Sequence, residues 1–161
     1  MIAEIERCGV EAIAPSPEEF RGVVKAVRRF LLANAHRVPH NEAVTHKWLT
    51  DFIVFHAVQG TLAVCWSFGR VSGVAVAWQM QEERLRAAGQ AGEDIFDWQP
   101  NDPAGDCVYL SLVISDEPGV VRTLARYFLE SCPQWRELNQ YAHRKGRLTC
   151  SRKLLSRLAG E

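Results

Sequence analysis

Apolar side chains along residues 20–31 fall at Phe20, Val23, Val24, Val27, Phe30 and Leu31. That three- and four-residue spacing puts them on one stripe of an α-helix. Ahead of the stripe, Ser16, Pro17 and Glu19 supply an N-cap, an N1 proline and a capping box. Arg21, Lys25, Arg28 and Arg29 fill much of the remainder, so the spacing predicts an amphipathic helix ending near Ala35 with a solvated basic face. Pro39 breaks the pattern, and Asn41 is placed to cap a second helix through Glu42, Val44, Trp48, Leu49 and Phe52. Its end is open, because Ile53, Val54 and Phe55 suit a strand equally well.

The period then drops to two. Leu62, Val64 and Trp66 alternate with Ala63, Cys65 and Ser67, and Val74, Val76 and Trp78 alternate beyond a Phe68-Gly69-Arg70 turn. This is a β-hairpin pattern. Residues 81–90 have helix-forming composition, and Gly89, Gly92, Pro100, Pro103 and Gly105 mark a loop region after them. Residues 107–114 are apolar enough for a central strand. Pro118 opens a helix with Val120, Val121, Leu124, Tyr127, Phe128 and Leu129 as its stripe, and Cys132-Pro133 stops it. A fourth strand is expected over 135–143, and an amphipathic helix over 148–158 with Leu154, Leu155 and Leu158 inward. Residues before Pro15 carry little pattern. No repeat or linker divides the chain, so residues 1–161 read as a single α+β domain.

Composition narrows the classes. Of 161 residues, 47% are hydrophobic and 24% charged, which fits a globular domain and excludes a disordered or fibrous one. Lys plus Arg and Asp plus Glu both number 19, which excludes a uniformly basic nucleic-acid module. The N-terminal Met-Ile-Ala-Glu-Ile-Glu-Arg lacks the basic and apolar regions of a secretory signal. No apolar run approaches the ~20 residues of a membrane span. A cytoplasmic chain without membrane contact is the expectation. Cys8, Cys65, Cys107, Cys132 and Cys150 show no metal-ligand spacing, and Cys65 and Cys107 read as small buried hydrophobes.

The charge balance conceals a polar arrangement. Residues 93–117 hold seven carboxylates and no Lys or Arg, whereas residues 131–161 hold seven basic and two acidic side chains. These two segments are a candidate pair for self-association or for a protein partner. The basic segment has no aromatic ladder and no nucleic-acid motif, which argues against nucleic acid.

The candidate general bases are His36, His40, His46, His56 and His143. The first two read as solvated loop residues around Pro39, His56 as bordering the core and His143 as part of the basic segment. No second helical pair or cysteine supports a metal site among them. His46 and Asp51 fall about a helix turn apart. Ser111 alternates with leucines and reads as a buried serine bonded to backbone, with no nucleophile elbow around it. Trp48, Trp66, Trp78 and Trp135 read as core or strand-pair anchors, while Trp98 lies in the acidic loop, placed for a partner or a lid.

Several features combine into a recognisable layout. They are the hairpin at Gly69-Arg70, Asp97-Trp98, the run Gly105-Asp106-Cys107-Val108-Tyr109-Leu110-Ser111-Leu112-Val113-Ile114, the helix from Gly119, and the Phe128…Pro133…Trp135 exit. Over about residues 60–146 this layout resembles the GNAT N-acetyltransferase superfamily, and within it the RTX-toxin-activating lysine acyltransferases. The resemblance implies a mixed, mainly antiparallel sheet flanked by helices. It also implies transfer of an acyl group from a thioester carrier, acyl-CoA or acyl-carrier protein, to an amine. On that likeness His46 is the base, Ser111 and Val113 line the site on the central strand, and Gly119 and Arg122 stand nearest the carrier phosphate.

The departures point to a rival expectation. Where the superfamily places a glycine-rich phosphate loop, this chain has Ser115-Asp116-Glu117-Pro118-Gly119-Val120, with one glycine and two carboxylates. Ser111 stands where the toxin-activating enzymes have an aspartate, and His46-Lys47-Trp48 lacks their Ser-x-x-His-x-x-Trp spacing. The rival is a GNAT-like module without catalysis, serving binding or assembly, for instance in a mobile element or a virus-like particle.

Overall fold

A computed structural model describes residues 5–9 as a backbone strand, together with residues 16–38, 45–92, 100–144 and 146–161. The capping box forms at the start of α1 (Pro17–Ala33): Glu19 N–H donates to Ser16 Oγ at 3.2 Å, and Ser16 N–H donates to Glu19 Oε2 at 2.9 Å. Helix α2 (His46–Gln59) is capped by Thr45, whose Oγ1 accepts from Trp48 N–H at 3.1 Å. Asn41, expected in that role, lies outside the described residues. The run 53–55 is helical, because Ile53 is buried with Leu49 and Phe52 in the core and Gly60, in the left-handed region, sets the helix end.

Strands β2 (Leu62–Ser67) and β3 (Arg70–Met80) form the expected hairpin. Its two turn residues, Phe68 and Gly69, have φ of 52° and 72°, and the Phe68 side chain is 78% exposed. Helix α3 (Glu82–Ala91), strand β4 (Cys107–Ser115) and helix α4 (Pro118–Ser131) follow as expected.

Three expectations need correction. Residues 5–9 form an edge strand, β1 (Ile5–Gly9), on β2. Residues 133–137 are a 3₁₀ turn that buries Trp135, so β5 spans only Asn139–Arg144. The stretch read as helix 148–158 is instead β6 (Arg147–Ser151) followed by the short α5 (Leu154–Ala159). Gly146, at φ 76°, turns β5 into β6.

The six strands lie in sequence order, and every neighbouring pair is antiparallel except β4–β5, which is parallel. Each sheet face carries its own core. On one, α1, α2 and Leu85 of α3 cover Leu62, Val64, Val74, Val76, Trp78 and Tyr109. On the other, α4, α5 and Trp135 cover Ala63, Cys65, Ala75, Ala77, Val108 and Leu110. The small side chains on the second face let α4 approach closely. Gly73 is the extreme case, since a Cβ there would stand 2.3 Å from Val120 Cγ1. The chain is thus α+β, with a mixed and mainly antiparallel sheet between helices. Among the described residues no helix is long and apolar enough to cross a membrane.

Candidate functional site

Among the described residues, the sheet opens between β4 and β5. β4 and β5 pair from Cys107↔Asn139 to Leu110↔Ala142 and no further. Beyond that point β4 continues to Ser115 against β3 alone, while His143 and Arg144 of β5 pair only with β6. The last shared pair is followed at once by a β-bulge. Val76 opposes Leu112 and Ala77 opposes Leu110, so Ser111 is the extra residue on β4. An extra residue bends its strand and raises the local twist. It also moves the alternation by one position: Leu110 packs with α4, and Leu112 with α1 and α2. The fork follows from this insertion, because β5 stays with the part of β4 that precedes the bend. Half-buried Ser111 donates from Oγ to Val76 O at 3.4 Å, a long bond within the sheet.

On the α1–α2 face, the fork carries Tyr109 and His143. Tyr109 is buried, its ring set edge-on to Trp78, and its hydroxyl lies 2.9 Å from Nδ1 of the exposed His143. Nearer the start of the two strands, Glu82 of α3 accepts from Tyr141 Oη at 2.5 Å and from Asn139 Nδ2 at 2.8 Å. Those two donors, Tyr141 first, hold the Glu82 carboxyl below its ordinary range. Burial, and then the Glu82 partnership, pushes the Tyr141 phenol up. Burial, reinforced by Asp106, pushes the Cys107 thiol up to about 12, which removes it as a nucleophile at neutral pH. This cluster ties α3 to β5. Asp106 completes it by accepting Glu82 N–H at 2.6 Å, capping α3 from a distant part of the chain.

On the opposite face lies a nearly closed apolar cleft between β4, α4 and α5, of about 10 Å³. Leu110, Val113, Val121, Leu124 and Phe128 line it, and Leu155 and Leu158 of α5 form the remaining wall. Exposed Gly119 stands in the first turn of α4, where Glu117 is the N-cap by position but makes no side-chain capping bond. Asp116 N–H donates to Ser72 O at 2.9 Å, anchoring this loop to a second bulge, the one Ser72 makes opposite Cys65 and Trp66. The Arg122 guanidinium lies against Gly160, its Nε 3.1 Å from where a Cβ would be.

The structure gathers Ser111 and Val113 at the fork and sets Gly119 and Arg122 on the α4 side. His46 is separate from them. It is exposed, in the first turn of α2 on the other face of the sheet, and no described bond carries its ring to β4. Asp51 pairs with Lys47 at 2.7 Å, not with His46. His36 is exposed in a 3₁₀ turn, and His40 and Trp98 lie outside the described residues. No group of three metal-ligating side chains occurs among the described residues. His56, expected at the core's border, is fully buried. Its Nδ1 is 2.8 Å from Thr61 Oγ1, its ring stacks on Trp78, and burial lowers its pKa to about 3.

Sequence reasoning missed the Tyr109–His143 pair. The residues are 34 apart and meet only through the parallel β4–β5 register. One signal was present within β5: Tyr141 and His143 are two residues apart, so both belong to one face of their strand. Tyr141 opposes Tyr109, which brings His143 to the same face as Tyr109. Comparison of the chain with protein-family models, with curated proteins and with solved structures finds no match in any of the three.

Proposed function

We propose that this domain is a GNAT-like acyltransferase that moves an acyl group from a thioester to an amine at the β4–β5 fork. The observation that carries the reading is the separation of a bulged central strand from its parallel neighbour at Ser111. Such an opening leaves strand-edge backbone groups beside a cleft. There they can accept an extended ligand as a strand would, and present N–H groups to a developing oxyanion.

In this reading the thioester carbonyl lies against β4 at Ser111–Val113. His143, rather than His46, is the base: with Nδ1–H donated to Tyr109, Nε2 takes the proton as the amine attacks. The C–N bond forms, the C–S bond breaks, and the thiolate leaves and is protonated in its turn. Val113 borders the donor's path, and Gly119 and Arg122 mark the side from which the carrier phosphate approaches. Asp116 and Glu117 oppose a pyrophosphate there, which favours the single phosphodiester of an acyl-carrier protein over coenzyme A.

The test is thiol release from acyl-CoA and from acyl-carrier protein, with and without an amine peptide. We expect amine-dependent release, reduced about 100-fold or more in His143→Gln. Release by neither donor, with no thermal shift from either, overturns the reading. A second reading, a non-catalytic binding or assembly module, is favoured by the occupation of the cleft by α5 leucines.

A further inference from the structure

Helix α5 is six residues long, too short to be helical on its own. Its helicity depends on where it docks, and it docks over the fork. Leu155 and Leu158 close the cleft that Leu110 and Val113 line, leaving about 10 Å³. Small-molecule sites run from about 300 Å³ upward. The donor's arm and α5 therefore compete for one space.

The attachment of α5 is built from a few discrete contacts. Leu155 N–H donates to buried Gln140 Oε1 at 2.7 Å, and Arg126 Nε donates to Ala159 O at 3.0 Å. Arg136 holds the Glu161 carboxylate with two N–H groups, at 2.6 and 3.1 Å. Of its leucines only Leu155 is fully buried, whereas Leu154 and Leu158 are half-buried. The strand that leads into it, β6, is an edge strand with no fully buried residue. Gln140 sits on β5 opposite Val108, within the paired part of the fork, so the amide bond of the helix reports directly on the site.

We infer that α5 is a displaceable latch that closes the donor groove in this structure and lifts from α4 when the thioester arm enters. The inference rests on the acyl-transfer reading. A groove that is open only part of the time binds its ligand more weakly by that fraction, so loosening the latch tightens binding without any new contact.

The test uses the full chain, Glu161→Ala, and Leu158→Asp, with Leu158→Ala as the milder substitution should the aspartate prevent folding. Calorimetric binding of acyl-CoA and of acyl-carrier protein is measured alongside amide exchange at Leu155. The latch predicts binding about tenfold tighter in the variants. It also predicts Leu155 exchange at least tenfold faster when wild type binds its donor, with the α4 amides unchanged. Binding by the variants alone equally supports the latch. If wild type binds a donor while Leu155 protection stays constant and the variants bind no tighter, the latch is wrong and the acyl-transfer reading stands. If neither donor binds wild type or any variant, both are wrong.

Discussion

At the scale of single residues, His56 is a costly choice in the core. Thr61 Oγ1 donates to the His56 carbonyl at 3.2 Å, so the ring donates from Nδ1 to Thr61 Oγ1 and Nε2 is a buried acceptor. Neither that nitrogen nor Trp78 Nε1, on the indole stacked against it, has a hydrogen-bond partner among the described residues. Each such group costs about 1–3 kcal/mol. The pH dependence follows from the direction of the shift. The folded pKa, about 3, lies below the ordinary 6.5. Above pH 6.5 both states are neutral and the ring adds no pH dependence. As pH falls from 6.5 toward 3 the unfolded chain takes up a proton that the native one refuses, and stability falls by ~1.4 kcal/mol per pH unit. Urea unfolding of wild type and His56→Leu at about pH 6.5 and about pH 4.5 is therefore expected to show wild type losing roughly 2–3 kcal/mol more than the variant. Parallel losses would mean that the ring is not held neutral.

At the scale of elements, two glycines fix how pieces approach, and they differ in what they meet. A Cβ on Gly105 would lie 2.5 Å from the Met80 backbone, where the turn before β4 crosses the end of β3. The same turn is tied to β3 by Gln79, whose Nε2 donates to Gly105 O at 2.6 Å and whose Oε1 accepts from Trp135 Nε1 at 3.0 Å. A backbone obstacle cannot rotate away, so Gly105→Ala is expected to cost about 3 kcal/mol in urea unfolding, with no rescue by neighbouring side chains. Gly73 meets the side chain of Val120. Gly73→Ala is expected to be destabilising alone and largely restored by Val120→Ala, a coupling that a double-mutant cycle in urea measures. Additive effects would show that α4 does not seat on Gly73.

Elements with strong local signals were legible in the sequence: the capping box of α1, the alternating hairpin, the apolar β4 and the stripe of α4. The edge strands β1 and β6 were not, because edge positions are selected by pairing rather than by burial and so lose the period of two. The 53–55 run misled because β-branched propensity yields to packing once its helical neighbours are buried. The strand that carries Ser111 and Val113 was legible in the apolar run of β4, whereas their place at a site was an expectation from the resemblance alone. The bulge at Ser111 was not legible, since it is a property of the register between two strands and leaves no mark in one. His143 stood among the candidate bases, but its pairing with Tyr109 was hidden for the same reason, being set by a parallel register across a helical crossover.

At the scale of the whole molecule, the equality of 19 basic and 19 acidic side chains bears on whether the chain assembles by charge. Many charges of the two opposed segments are used internally. Asp106 caps α3, and Asp102 accepts from Ala104 N–H at 3.0 Å within its own turn. Arg136 is paired with Glu161, and Arg157 donates to Ser151 Oγ at 2.5 Å. Among the described residues, Asp116 and Glu117 are left exposed from the acidic segment, and Arg144, Arg147, Arg152 and Lys153 from the basic one. Exposed pairs between such groups contribute about 0–1 kcal/mol each and are screened over ~8 Å at physiological salt. Among the described residues these few charges fall far short of what a stable interface needs. Sedimentation at roughly 20 mM and 500 mM salt, a range over which the screening length changes several-fold, is accordingly expected to return the 18.1 kDa monomer at both. A dimer at low salt that dissociates at high salt would show that the two segments do find each other between chains, and would favour the assembly reading over catalysis at the fork.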